Sequence, residues 1–198
     1  MTTLETSKAI WYLMRATGVV SLVLLTAVLA LGIATVKRWR PGKTPAFVTA
    51  GVHRSLSLLS VVFVAVHVVT AVVDSYAGVS LVSVVVPFVG SSKPLWVGLG
   101  AVSLDLVVAL IVSSLLRRRI GARAWRAVHW TAYLSWPVAL AHAVGMGSDV
   151  GTVWFQGVAV VCSGVVAAAV ALRLAGRRTG KRLERRLPAG RARVRASA

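Results

Sequence analysis

Five long runs of apolar residues, separated by short basic or polar stretches, dominate the chain. The runs cover residues 10–36, 48–73, 94–116, 125–147 and 151–176. A helix of about 20 apolar residues crosses the roughly 30 Å hydrocarbon core of a bilayer, so each run predicts a membrane-spanning helix. A sixth run, 79–89, is too short to cross and contains Pro87, which predicts an interfacial or re-entrant segment. The fold class predicted is therefore all-α integral membrane, a bundle of five transmembrane helices over residues 10–176.

Composition and charge agree with a membrane protein and add an orientation. The 198 residues are 57% hydrophobic, with a mean hydropathy of +0.80, which excludes an ordinary soluble domain. Of the 23 basic residues, 20 fall on one side of the predicted bundle, so they indicate topology rather than a nucleic-acid partner. The positive-inside rule makes that side cytoplasmic. We therefore expect a multi-pass plasma membrane protein with residues 1–9 outside and the carboxyl terminus inside.

The two ends of the chain and its single cysteine narrow the expectation further. The first run contains Arg15 and ends in a basic cluster, residues 37–40, which is typical of a retained helix rather than a cleaved signal peptide. Cys162 has no partner, which excludes a disulfide and a CxxCH haem attachment site. The Arg-, Gly- and Pro-containing tail, 177–198, is expected to be disordered. It would serve as a topology anchor on anionic lipid or as a docking strip for an acidic redox partner.

All four histidines lie within apolar runs. His53 and His67 share the second run, and His129 and His142 share the fourth. An imidazole in hydrocarbon is costly unless it is paired, so these residues are candidates for function. Both helices are expected to run from inside to outside, which places His53 and His129 at an inner depth and the other two at an outer depth. Their separations correspond to roughly 21 and 19.5 Å along a helix, which is room for two stacked cofactors.

Two imidazoles at each depth favour haem b over zinc. Haem iron accepts one imidazole on each face, whereas zinc requires three or four converging ligands. His53 and His67 share a helix face, but His129 and His142 diverge by about 220° on an ideal helix. Pro137 lies between them and is expected to bend or rewind the helix. The alternative is that the imidazoles only hydrogen-bond neighbouring helices.

Several other residues are candidates for supporting roles. Arg15 at the outer depth, and Arg54 and Arg126 at the inner depth, are candidates to hold haem propionates, because guanidinium binds carboxylate bidentately. Snorkelling of Arg15 and the positive-inside rule are the alternative explanations. Phe63 and Trp136 are candidates to lie between the cofactors, and simple packing is their alternative.

Two acidic residues and four glycines each allow a functional and a structural explanation. Asp105, in the middle of the third run, indicates a proton relay or a local hydrogen bond between helices. Asp74, seven residues beyond His67, indicates an outer acceptor site or only a helix end. Four glycines are able to admit a porphyrin or a close helix contact: Gly51, Gly98, Gly100 and Gly145.

Three patterns carry a resemblance to a known family: His53-x13-His67, His129-x12-His142 and Trp11-x3-Arg15-x2-Gly18. They resemble the ferric reductase-like transmembrane domain of ferric reductases, NADPH oxidases and bacterial haem b membrane subunits, over about residues 10–176. The resemblance implies two bis-histidine haems b, one on His53 with His129 and one on His67 with His142. That family usually has about six helices, whereas the pattern here predicts five.

The function implied by the resemblance is transmembrane electron transfer from an inner donor to an extracytoplasmic acceptor such as ferric iron, a flavin-bearing protein or oxygen. Complete reductases also carry flavin and nicotinamide domains, but this sequence has no Gly-rich phosphate fingerprint. The expected donor is therefore a separate cytoplasmic flavoprotein or a membrane quinol. The alternatives are a quinol-linked haem b subunit of a methionine sulfoxide reductase type system and, from another class, a non-redox membrane anchor or small transporter.

Overall fold

The computed structural model describes residues 3–37, 46–90 and 93–186, and these form helices joined by turns, with no strand among them. The helices are α1 (Thr3–Lys37), α2 (Ala46–Val73), α3 (Leu81–Val85), α4 (Pro94–Leu115), α5 (Arg117–His129), α6 (Ala132–Met146) and α7 (Val153–Arg186). The prediction of an all-α chain is confirmed for the described residues.

Four of the described helices are long and apolar enough to cross a membrane. Their spanning parts are Glu5–Thr35, Phe47–Val73, Pro94–Leu115 and Val153–Ala175. Such lengths and compositions make this a membrane protein. The fifth predicted span, 125–147, is covered by the end of α5 and by α6, with a turn at Trp130 and Thr131 between them. Both turn residues keep right-handed helical backbone angles, whereas the non-helical angles within α5 lie at Gly121, before the predicted span.

Helix α1 holds the bundle together. It packs most extensively against α2 and also contacts α6 and α7, while α4 packs against α6. The central hydrophobic cluster joins Leu22 and Leu29 of α1 to Trp136 of α6 and Cys162 of α7. The indole Nε1 of Trp136 donates a 2.8 Å hydrogen bond to the Thr26 hydroxyl, so the polar atom of this buried side chain is satisfied.

The short apolar run that contains Pro87 forms the small helix α3 and a turn that packs against α4. Ser80 caps α3, and the fully buried Ser83 donates from its hydroxyl to the Gly90 carbonyl oxygen at 3.1 Å. A side chain at Gly98 of α4 would collide with Phe88, so the segment lies directly on that helix. Its five helical residues are too few to cross a bilayer.

Both terminal helices are longer than predicted. Helix α1 begins at Thr3 rather than at residue 10. Helix α7 continues to Arg186, ten residues beyond the predicted end of its span at 176. Residues 177–186 are therefore helical, and the remainder of the tail, 187–198, lies outside the described residues, as do residues 38–40 of the basic cluster after α1.

Candidate functional site

Two histidines of α2 bond to the backbone of the antiparallel helix α1. The Nδ1 of His67 lies 2.8 Å from the carbonyl oxygen of Met14, and the Nδ1 of His53 lies 3.1 Å from that of Val28. The two carbonyls are 14 residues apart, as are the two histidines. The face shared by His53 and His67, predicted from their spacing, is therefore confirmed, because both rings turn toward α1.

His142 makes the same kind of bond on the other side of the bundle. Its Nδ1 lies 2.8 Å from the carbonyl oxygen of Trp96, at the start of α4. A carbonyl oxygen only accepts, so the ring nitrogen must carry the proton, and the neutral ring keeps its lone pair on Nε2. Metal-binding histidines commonly have this arrangement, in which one nitrogen is anchored and the other faces the metal.

The two outer histidines face each other. The ring centroids of His67 and His142 are 6.3 Å apart, and the ring planes are inclined by 79°. Two imidazoles on opposite sides of one metal ion, with bonds of about 2 Å, have centroids about 6 Å apart. The described residues contain no group of three or more histidine, cysteine or carboxylate ligands. The outer pair therefore fits a haem iron, whose porphyrin supplies the other four ligands, better than zinc.

The inner pair is held differently. His53 and His129 lie close enough to interact electrostatically. The Nδ1 of His129 is buried and has no hydrogen-bond partner among the described residues. The His129 ring instead stacks on Trp125, with 4.9 Å between the ring centroids. The Arg117 guanidinium lies 4.1 Å from the centroid of the same Trp125 ring. Stacking and cation–π contact thus orient this ring in place of a carbonyl.

A tight turn at Trp130 and Thr131 joins α5 to α6 just after His129. Around it the backbone makes i→i+3 hydrogen bonds, from Thr131 to Val128 at 2.9 Å and from Leu134 to Thr131 at 2.9 Å. A 3₁₀ turn advances each residue by about 120° rather than 100°, so a few such residues remove much of the predicted 220° divergence. Pro137 lies inside α6, beyond the turn. The tight turn at Trp130 therefore adds rotation between the two histidines, and the expected effect of Pro137 on the helix stays a prediction.

Arg173 of α7 is a functional candidate that the sequence analysis missed. Its Nη1 donates a 2.5 Å hydrogen bond to the Tyr133 hydroxyl, and its guanidinium lies 4.6 Å from the ring centroid of Trp130. The Nε atom is buried without a partner among the described residues, and the charge acts on His129. The only sequence signal for Arg173 is a basic residue inside the apolar run 151–176.

The three arginines predicted to hold propionates have other surroundings in the structure. Arg15 forms an ion pair with Asp149, in the turn between α6 and α7, and its guanidinium lies 4.0 Å from the Trp11 ring centroid. Arg54 and Arg126 are exposed, and the Nε of Arg126 donates to the Ala122 carbonyl of its own helix at 3.1 Å. Their roles toward propionates stay predictions.

The aromatic and acidic candidates divide between core and surface. Trp136 belongs to the core cluster, and Phe63 is half-buried on α2, so packing accounts for Trp136 and a place between cofactors stays a prediction for both. The Asp74 carboxylate is buried, with Oδ1 accepting from the Tyr76 N–H at 2.9 Å and Oδ2 unpartnered among the described residues. Asp105 is exposed on α4.

Comparison with known proteins agrees with this site. A sequence model of the family described as "Ferric reductase like transmembrane component" matches residues 15–144, about two thirds of the chain, and this region contains all four histidines. The chain matches no curated protein and no solved structure. Because the family model covers well over half of the sequence, the chain belongs to the ferric reductase-like transmembrane family.

Proposed function

We propose that this chain is a di-haem b electron-transfer protein that moves electrons across the plasma membrane to an extracytoplasmic acceptor. The observation that carries the proposal is the outer pair, in which His67 and His142 face each other at a centroid distance of 6.3 Å. Both rings are anchored through Nδ1, which leaves both Nε2 atoms available to a metal. Membership of the family supports the same chemistry.

The residues supply two binding levels, and haem b supplies one-electron chemistry when it is bound. The outer level is the pair His67 and His142, and the inner level is the pair His53 and His129. Backbone carbonyls hold the rings of His53, His67 and His142 neutral and fixed, so that little rearrangement accompanies a change of charge.

A fifth membrane crossing through α5 and α6 is part of the proposal. The segment from His129 to His142 extends between the same two levels as the segment from His53 to His67. It therefore covers about the same depth as the middle of α2, although a turn at Trp130 and Thr131 interrupts the helix. Five crossings would put the termini on opposite sides, with the basic side cytoplasmic. This supports an external amino terminus and an internal carboxyl terminus.

The inner donor is proposed to be a soluble flavoprotein with an acidic surface. Helix α5 carries five exposed arginines on the proposed cytoplasmic side: Arg117, Arg118, Arg119, Arg123 and Arg126. Such a surface accelerates encounter with an acidic partner, and salt screens it. Reduction of the chain by that donor should therefore slow several-fold between low and high ionic strength. Reduction by a quinol analogue alone, independent of salt, would favour the quinol-linked alternative.

Transmembrane electron transfer is tested in vesicles. The purified chain is placed in proteoliposomes that enclose a membrane-impermeant reductant, and ferricyanide is added outside. The proposal predicts ferricyanide reduction that depends on the protein, together with b-type bands in the reduced-minus-oxidised spectrum. The His67→Ala variant should abolish the transfer. Vesicles that reduce ferricyanide no faster than protein-free vesicles would contradict the proposed function, and a non-redox anchor would behave in that way.

A further inference from the structure

The three carbonyl oxygens that accept from histidine rings share a sequence relation. Each is followed, four residues later on the same helix, by a glycine. The pairs are Met14 with Gly18, Val28 with Gly32, and Trp96 with Gly100. The first two pairs lie on α1 and the third on α4. The relation therefore occurs at three separate places and serves three different histidines.

The geometry gives this relation a physical cause. On a helix each Cβ tilts toward the amino terminus, so the Cβ of residue i+4 stands beside the carbonyl oxygen of residue i. A Cβ built on Gly18 would lie 2.9 Å from Cε1 of His67, and one on Gly100 would lie 2.7 Å from Cε1 of His142. At Gly32 the corresponding distance, to Cε1 of His53, is 3.3 Å. A larger residue at Gly18 or Gly100 would therefore displace the ring from its carbonyl, and one at Gly32 would crowd the ring by a few tenths of an ångström.

We infer that Gly18, Gly32 and Gly100 are positioning residues for the histidine ligands. Each one leaves a notch, meaning a helix surface without a Cβ, in which the ring lies flat enough for Nδ1–H to reach the carbonyl. The bond fixes the tautomer and the direction of Nε2. The inference rests on the proposed function only for what Nε2 binds.

Other helical glycines separate this role from ordinary packing. Gly98 and Gly145 face Phe88 and Trp96, which are not ligands, and so serve close helix contacts. Gly51 of α2, by contrast, has no neighbour among the described residues within 4 Å of a built Cβ. It therefore provides a matched control, because an alanine there displaces no described side chain and improves helix propensity.

The inference predicts effects that belong to one level at a time. Gly18 and Gly100 serve the two outer ligands, and both built Cβ atoms are closer than real contacts allow. Gly32 serves only His53 and has more space. Gly18→Ala and Gly100→Ala should each lose more than half of the outer haem signal and keep the inner one. Gly32→Ala should weaken the inner signal alone, and by less.

The experiment compares these three variants with Gly51→Ala in the purified full chain. Haem per chain and the low-spin electron paramagnetic resonance signals are measured, and His67→Ala and His53→Ala assign each signal to a level. A merely structural role would lower thermal stability and diminish both signals together. Gly18→Ala and Gly100→Ala with signals like those of Gly51→Ala would overturn the inference, as would equal loss at both levels.

A second readout separates this inference from the proposed function. Nitrogen-15 spectra of the histidines in the full chain, in detergent without added haem, report which ring nitrogen carries the proton. His67 should be an Nδ1–H tautomer in the unaltered chain and lose that preference in Gly18→Ala. If the unaltered chain binds no haem, the proposed function fails while this readout still tests the notch. An unchanged tautomer in Gly18→Ala would overturn the notch alone.

Discussion

The outer and inner levels use the same ligand type but hold it by different means. At the outer level both rings donate to backbone carbonyls, from His67 to Met14 and from His142 to Trp96. At the inner level only His53 has such a bond, and the Nδ1 of His129 is buried without a partner among the described residues. Backbone geometry therefore fixes the outer level, whereas aromatic stacking and nearby charge shape the inner one.

This difference should affect the midpoint redox potentials of the two levels. A hydrogen bond from Nδ1–H to a carbonyl makes the imidazole a stronger electron donor, which disfavours reduction of the metal that it binds. The inner level has one such bond fewer and lies near the cationic Arg117 and Arg173. Positive charge favours an added electron, more strongly where water is excluded. We therefore expect the inner level to have the higher midpoint potential.

The largest expected effect is the loss of one cofactor from one level. His67→Ala should reduce the haem content from two per chain to one and remove the lower-potential step. His53→Ala should also leave one haem but remove the higher-potential step. The measurement is a pyridine haemochrome assay combined with a redox titration. Ser60→Ala, on the same face between the two histidines, is the control and should retain both cofactors.

Trp136→Ala should disturb both levels together. The indole fills the cluster between α1, α6 and α7, so its removal leaves a cavity and is expected to cost about 3–5 kcal/mol of unfolding free energy. Thermal unfolding in detergent measures the loss. Trp136→Phe should cost less, since only the bond to Thr26 and part of the ring are lost. Unchanged stability together with slower electron transfer between the levels would instead favour a place between the cofactors.

Arg173→Gln should change the inner level alone. Removing the cation is expected to lower the higher midpoint potential by tens of millivolts, because one unit charge is taken from a partly buried site near His129. The lower potential should not move. Arg123→Gln, an exposed arginine on α5, is the control. Equal shifts of both potentials after Arg173→Gln would mean that the levels do not differ in their cationic surroundings.

The smallest effect is expected at the ion pair above the outer level. Asp149→Asn removes the partner of Arg15, and partly exposed pairs contribute about 1 kcal/mol or less. A double-mutant cycle with Arg15→Gln, read by thermal unfolding, isolates the pair. A much larger coupling, or loss of the outer haem from either single variant, would show that the pair is part of the binding site.

The sequence was sufficient for features that depend on local periodicity. The spacing of His53 and His67 predicted a shared face, and both rings do turn to one helix. The family was also predicted from these spacings and is confirmed. Apolar runs predicted helices, but not the tight turn after His129, because Trp130 and Thr131 carry no turn signal in the sequence. Backbone bonds, the Thr131 hydroxyl bond to the Val128 carbonyl and the contact of Trp130 with Arg173 all lie at this turn.

Contacts between distant parts of the chain were beyond the sequence. Arg173 contacts Tyr133, which is 40 positions away in the sequence, and Arg15 pairs with Asp149, which is much farther away in the sequence. A charge-based prediction assigns such arginines to topology or to propionates, since it has no information on which helices are neighbours. The glycine notches were equally hidden, because a glycine gains meaning only when the ring that occupies it is known.

The central claim, that two imidazoles at each of two levels bind one haem iron, is tested most directly by the haem-to-chain ratio. The assay uses the purified chain and four single variants, His53→Ala, His67→Ala, His129→Ala and His142→Ala. The account predicts a ratio of two for the unaltered chain. It also predicts that His67→Ala and His142→Ala lose the same haem and that His53→Ala and His129→Ala lose the other. A ratio of zero or one, or variants that do not group in these pairs, would contradict it.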